Sequence, residues 1–389
     1  VVSSISYTLG ENVENLTLTG EEAINGTGNS MDNQITGNSL DNILDGGEAG
    51  TDQLIGGDGN DKYIIASNNV QVYENDGEGT DEVASSISYT LGDNVENLTL
   101  TGSESIDGTG NSIENVLTGN SLDNLLDGGQ GKDMLVGGDG SDTYIVDNAQ
   151  DDVVENTNEG TDIVQSTVSY ELSANIENLT LLGSDSINGT GNTLDNVVVG
   201  NSGANTLDGA IGADDLQGGD GNDAYIVDNV NDSVAELSGQ GTDIVYAAVN
   251  FTLDSNIENL TLSGTANLNA TGNDIANNLT GNNGNNTIIG AGGLDTLTGG
   301  SGADVFVIGN ATGNAYGINN SNSFALITDF TVGTDRLQLK GSLASDYMVN
   351  FADPTQVTIT STDATVGLVA KINATGTAAD ILNNAIFLS

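Results

Sequence analysis

The stretch GGDGNDKYI, residues 56–64, places three glycines and two acids ahead of one large inward-facing candidate, Tyr63. It returns as GGDGSDTYI at 137–145, as GGDGNDAYI at 218–226 and, loosened, as GGSGADVFV at 299–307. The recurrence sits inside a longer one. VSSISYTLGENVENLTLTG at 2–20 returns at 84, 165 and 246; Tyr7 to Tyr89 is 82 residues, while Tyr89 to Tyr170 and Tyr170 to Phe251 are each 81. The extra residue lies in GGEAGTDQL, because Gly46 to Gly128 is 82 and Gly56 to Gly137 is 81. Four blocks therefore reach to about residue 307, and self-similarity at such a period is the signature of a stacked-repeat fold.

Each block holds a finer period of nine. Block two reads GNSIENVLT, GNSLDNLLD, GGQGKDMLV and GGDGSDTYI from Gly110, Gly119, Gly128 and Gly137. The sixth place of these turns is Asn115, Asn124, Asp133 and Asp142, and the eighth is Leu117, Leu126, Leu135 and Tyr144. Block one supplies Asn33, Asn42, Asp52 and Asp61, block three Asn196, Asn205, Asp214 and Asp223, and block four Asn277, Asn286, Asp295 and Asp304. One apolar residue per nine suits a three-residue strand with a single inward side chain.

Composition narrows the chemistry. Among 389 residues, 36% are apolar but only 4% aromatic, so the core is thin and aliphatic. Fifty-six acids face five bases, a net charge of -51 that argues against nucleic acid and anionic membranes as partners and for a cationic one. Cysteine and histidine are both absent, which removes thiolate and imidazole ligands and leaves oxygen donors, the set that suits calcium and magnesium. No apolar run approaches the ~20 residues of a membrane span. The opening VVSSISYTLG has no signal-peptide pattern and starts in mid-block, which reads as a mature or trimmed piece of a longer product.

GGxGxDxUx, with U a large apolar residue, resembles the nonapeptide of RTX (haemolysin-type calcium-binding) proteins, and the copies at 56, 128, 137 and 218 match every position. The resemblance implies an all-β, right-handed parallel β-roll or β-solenoid in which two nonapeptides make one coil and calcium lies between loops of neighbouring coils. Residues 18 apart would stack, Asn115 against Asp133 and Asn124 against Asp142, each pair bringing side-chain oxygens to a gap lined by loop carbonyls. Those carbonyls would come from Gly57, Gly59, Gly129, Gly131, Gly138, Gly140, Gly219, Gly221, Gly300 and Gly302, since glycine accepts the positive φ such loops require. Six to eight oxygens in flexible geometry are what calcium takes, whereas magnesium demands a tighter octahedron. An Asn–Asp pair carries little charge, so weak sites with dissociation constants of about 10⁻⁴ to 10⁻³ M are expected. Asp58, Asp139 and Asp220, at the third place, would strengthen the fourth loop of their blocks. A metal-free solenoid with solvated turns is the alternative, as Asn, Asp and Gly are turn residues in any case.

Between the ladders, YIVDNAQDDVVENTNEGTDIVQSTVSYELSANIENLTLLG at 144–183 has apolar stretches near Tyr144, Val154, Val168 and Leu179, then Ile187. This gives eight strands per block and predicts four coils of about 20 residues, sixteen in all, with successive blocks in register; uniform 18-residue coils would instead give four and a half. Glu74, Glu155 and Glu236 recur with Asp81, Asp162 and Asp243 seven residues on, either as a further calcium site or as solvated acids. The NxT sequences at Asn15, Asn97, Asn178 and Asn259 recur because their strand recurs, not as glycosylation acceptors.

Two domains are expected: a solenoid over 1–307 and a β capping domain over 308–389. Within the second, SFALITDFTVGTDRLQLKG resembles the IxDFxxGxDxIxL element that closes the β-roll of serralysin-type proteases and other secreted RTX proteins, matched by Ile327, Asp329, Phe330, Gly333, Asp335, Leu337 and Leu339. VTIT, VGLVAKI and NNAIFLS read as covering strands. The resemblance further implies an uncleaved type I secretion signal at the C-terminus; a plain capping strand is the other reading of AIFLS. No catalytic constellation converges once, because acids, Ser and Tyr repeat with the scaffold. The reading is thus a non-enzymatic extracellular protein of the cell surface, a fibril, surface layer or adhesin stalk that folds on calcium, either joined head to tail in a filament or standing as a monomeric rod. The alternative is the secretion and folding module of a larger enzyme or toxin.

Overall fold

The computed structural model describes the chain except Glu48 and residues 311–312, 315, 317–322, 341–346, 354–355, 363–367, 375–377, 384 and 389. Two compact units are present, Val1–Leu182 and Gly183–Ser389. In both, short strands stack in parallel as a β-solenoid.

In the first unit, one edge of the coils carries Val2–Ser3, Asn15–Leu18, Gln34–Thr36, Gln53–Ile55 and Gln71–Tyr73. The other edge runs from Tyr7–Thr8 through Lys62–Ile65, Asn97–Leu100 and Val116–Thr118 to Asp152–Val154. The eighth-place side chains point inward: Leu117, Leu126, Leu135 and Tyr144 are fully buried, one per strand, as the nine-residue beat requires.

The expectation of eight strands and four coils per block is overturned. Tyr89–Thr90 is the ninth strand after Tyr7–Thr8, the strand it copies, so a block makes four and a half turns and its copies change edge. Asn15–Leu18 lies in one sheet and its repeat Asn97–Leu100 in the opposite one; in the second unit, Thr206–Asp208 and its repeat Thr287–Ile289 are likewise in different sheets. Thirty-five strands to Val305–Val307 make about seventeen turns in place of sixteen.

The missed strand lies in the stretch centred on Val168, which is two strands, Ile163–Ser166 and Tyr170–Glu171. A serine makes the corner between them. Ser166 Oγ donates to Val168 O at 2.8 Å and accepts the Val168 N–H at 3.2 Å, and Ser85 repeats the pattern with Ile87. Such a hydroxyl turn needs neither Gly nor Pro, so the usual breaker signal is missing. Coil length varies accordingly: 18 residues from Val116 to Met134, 20 from Thr143 to Ile163, but 15 from Ile163 to Asn178.

In the second unit, Leu294–Thr298 pairs in parallel with Phe324–Ile327, and Val305–Val307 with Arg336–Lys340, so the coils continue past the last nonapeptide. Phe324–Ile327 then pairs with Leu368–Asn373, to which Gln356–Ser361 and Tyr347–Asp353 are added antiparallel. A short helix, Ala378–Asn383, precedes Ala385–Leu388, which pairs with Arg336–Lys340. Of the strands expected here, Val366, Gly367, Asn384 and Ser389 lie outside the described residues.

Candidate metal centres

The loops at the sixth place are built by a ladder of backbone donors. The Asn115 N–H donates to Asp133 Oδ1 at 2.8 Å and the Asp133 N–H to Asp151 Oδ1 at 3.0 Å. In parallel, the Asn124 N–H donates to Asp142 Oδ1 at 2.7 Å, the Asp142 N–H to Asp162 Oδ1 at 2.8 Å, and the Asp162 N–H to Glu177 Oε2 at 2.8 Å. Each carboxylate is thereby fixed by one oxygen, with the coil before it supplying the proton. Asn33 with Asp52, Asn42 with Asp61, Asn196 with Asp214, Asn205 with Asp223, Asn277 with Asp295 and Asn286 with Asp304 repeat this contact at 2.7 or 2.8 Å.

Asparagine and aspartate then part company. Asn124 Oδ1 accepts the Asn120 N–H of its own loop at 2.8 Å, and its amide donates to Ile106 O of the preceding coil at 2.6 Å. Asn115 is tied in the same way to Asn111 and Val95. The oxygen and the amide of these asparagine side chains thus each have a protein partner. An aspartate has no amide to give, and the second oxygens of Asp52, Asp61, Asp133, Asp142, Asp214, Asp223 and Asp304 are buried without a hydrogen-bond partner. Buried polar atoms left this way are rare and costly, and each calls for a specific counterpart.

All ten glycines named from the sequence have positive φ, for example Gly138 at 88° and Gly140 at 136°. Asp58, Asp139 and Asp220 are exposed. The recurring acids of the interladder segment are not solvated: Glu155 and Asp162 fold back onto Asp142, and one oxygen from each of the three lies within 4.8 Å of the others. Asp61, Glu74 and Asp81, and Asp223, Glu236 and Asp243, form the same group. Gly137 opens the space beside them, since a Cβ there would stand 2.2 Å from Asp142 Oδ2 and 2.6 Å from Glu155 Oε1.

Burial, opposed in part by the ladder hydrogen bond, pushes the Asp142 carboxyl up to about 7 and Asp133 to about 6; nearby acids push in the same direction. Burial likewise raises Glu155 to about 8 and, against the neighbouring phenol, Glu74 to about 8. Two carboxylates about 5 Å apart repel by roughly 3 kcal/mol at an effective dielectric of 20. A multivalent cation satisfies the orphan oxygens and reverses that repulsion in one step. Ligand oxygens up to 4.8 Å apart fit one ion with bonds of about 2.4 Å, the calcium range.

Sequence reasoning took Tyr63, Tyr144 and Tyr225 only as core residues, yet their phenols donate to Glu74, Glu155 and Glu236. It also passed over Glu96, Glu177 and Glu258, which accept the N–H groups of Asp81, Asp162 and Asp243. The available signal was co-occurrence: Glu follows Tyr by eleven residues in three blocks, whereas the fourth has Phe306 and then Gly317. At the end of the ladder, Asp335 Oδ1 accepts the Asp304 N–H at 3.0 Å, and Asp329 accepts from Gly299 and Gly300 at 2.8 Å each. Phe330 is buried, its ring centroid 6.1 Å from that of Phe306. The closing element thus supplies the acid that continues the ladder.

Fold and sites together define a calcium-binding parallel β-solenoid that takes up several ions. The RTX calcium-binding nonapeptide repeat matches in four copies, at residues 27–63, 109–154, 190–225 and 271–306, so the chain carries RTX calcium-binding repeats. Proteins of this class are typically secreted. The chain is also 44% identical over 64 residues to an endo-1,3-1,4-beta-glycanase, ExsH, of Rhizobium meliloti; the match covers 16% of this chain and 14% of that relative. Among the described residues no helix is long and apolar enough to cross a membrane.

Proposed function

We propose that the chain is a structural element of the cell surface, a fibril, surface layer or adhesin stalk, whose solenoid is locked by calcium once outside the cell. The observation that carries this reading is the set of ten buried carboxylate oxygens without partners among the described residues, on a chain of net charge -51. Ligands bound only by the folded form drive folding by mass action, so a calcium-poor cytoplasm would hold the chain open and the exterior would close it. The residues 1–307 serve as the calcium-binding part and 308–389 as its cap. The acids repeat with the scaffold, which suits a load-bearing element better than a catalytic one, and head-to-tail contacts between copies would extend it.

A second reading, the folding and secretion module of a larger secreted enzyme, draws on the short likeness to the Rhizobium glycanase. Sequencing the surrounding open reading frame separates the two: further 81-residue blocks favour the surface element, and a region of new composition favours the module. Folding is tested by circular dichroism with calcium removed by chelator. The expected result is loss of the strand spectrum and its return in millimolar calcium; a strand spectrum indifferent to chelator would refute both readings.

A further inference from the structure

The three buried acid groups differ from the other nonapeptide loops, because each adds a Glu and a second Asp to the sixth-place Asp of its block's fourth loop. In each, every acid has one oxygen anchored and the group converges on a shared space. Asp142 Oδ1 takes the Asn124 N–H, Asp162 Oδ1 takes the Asp142 N–H, and Glu155 Oε1 takes the Tyr144 phenol. The remaining oxygens of Asp142 and Glu155 are buried with no partner, and the three residues are 0%, 6% and 1% exposed. Asp133, in an ordinary loop, has the same orphan oxygen but belongs to no such three-acid group among the described residues.

Repetition within the chain serves as an internal control. Tyr and Glu occur together at 63 and 74, 144 and 155, 225 and 236, and both are lost together where Phe306 is followed by Gly317. A core residue alone would not need the hydroxyl, and an acid alone would not need the tyrosine. Coupled presence and absence is expected if the phenol orients Glu155 so that its second oxygen faces the ion. Tyr144 is then a positioning residue.

We propose that Asp61–Glu74–Asp81, Asp142–Glu155–Asp162 and Asp223–Glu236–Asp243, each steadied by a tyrosine phenol, form a second class of cation site, three per chain and tighter than the remaining nonapeptide loops. Three carboxylates set the charge of the site, so it takes calcium and, with charge fully balanced, a trivalent lanthanide. Higher ligand charge in a rigid site is the route by which oxygen sites gain calcium affinity. The proposal rests on the calcium reading only for the identity of the natural ion.

Terbium titrated into the calcium-folded full chain tests it, because the chain has no Trp and tyrosine is the sole strong sensitiser of terbium emission. Emission should saturate at three ions per chain and fall by about one third in Glu155→Gln, one copy of three. Equilibrium dialysis should find three calcium ions held about tenfold or more tighter than the rest, and Glu74→Gln/Glu155→Gln/Glu236→Gln should remove that class while calcium still restores the strand spectrum. Should the Glu variants fail to fold, Tyr63→Phe/Tyr144→Phe/Tyr225→Phe, which copies the natural Phe306, carries the test: emission should vanish and the tight calcium class should weaken. A single calcium affinity class in the wild-type chain would overturn the proposal, as would unchanged emission in either triple variant. Loss of the calcium-induced strand spectrum in the wild-type chain would instead strike the proposed function.

Discussion

Asn124 and Asp142 occupy the same place on successive coils, with the same ladder bond on the same backbone, and differ only in whether the side chain can donate. The asparagine amide reaches Ile106 O of the coil before it, so that loop is closed by the protein itself. The aspartate leaves a buried oxygen bare, so that loop is closed only by something that comes from outside. Every block orders its turns Asn, Asn, Asp, Asp. Each repeat thus pairs a half whose sixth-place side chains find partners within the protein with a half that leaves buried oxygens bare, Asp295 excepted, and we propose that the second half sets the calcium requirement.

The largest effect on this contrast should come from pH with calcium removed. Asp142 and Glu155 have folded values near 7 and 8, above their unfolded values of about 3.9 and 4.3. A raised value means that the folded form binds protons more tightly, so their contribution is fully present below about pH 4 and is lost as pH rises through 7 and 8. Circular dichroism in chelator should therefore show strand structure returning as pH falls from 8 to 4. A flat profile would mean that the aspartate half does not control folding.

Next in size, Asp133→Ala/Asp142→Ala should raise several-fold the calcium concentration that restores the strand spectrum, because each change removes a carboxylate from the dependent half. The converse change, Asn124→Asp, sets a carboxylate against Ile106 O and removes the amide it needs. A loss of about 2 kcal/mol or more is expected by urea denaturation in calcium. Equal stability in Asn124→Asp and wild type would remove the distinction between the halves.

A smaller effect sharpens it at the one exception. Asp295 belongs to the dependent half, but the Tyr316 hydroxyl donates to its Oδ2 at 2.5 Å, and both residues are buried. A protein donor here occupies the oxygen that is bare in the other copies. Tyr316→Phe should convert this copy to the orphaned type and cost about 1–3 kcal/mol in the calcium-loaded protein. At the lower end, Asp139→Asn, at an exposed position, should shift stability by no more than about 0.5 kcal/mol. An effect as large as that of Asp142 would show that bulk charge, not position, sets the calcium demand.

The sequence by itself determined the solenoid, its period, the inward leucines and the place of Asp142 in each loop, because a nine-residue beat with glycine and one apolar residue admits little else. Its acidity and lack of histidine and cysteine also directed the ligand chemistry to oxygen and calcium. Only the tertiary structure decided the number of coils, since the corner at Ser166 is turned by a side-chain hydroxyl in a stretch, IVQSTVSYEL, that has no Gly or Pro to mark it. It alone decided which acids meet. Residues inside the ladder are neighbours at a spacing of 18, or 19 across the extra residue of block one, but the interladder coils are 20 and 15 residues long. Asp142, Glu155 and Asp162 therefore come together at separations of 13 and 7 that belong to no period in the chain. The use of Asn124 as a clamp was likewise hidden, because its partner Ile106 O is a backbone atom of the preceding coil, placed by the stacking and not by any motif.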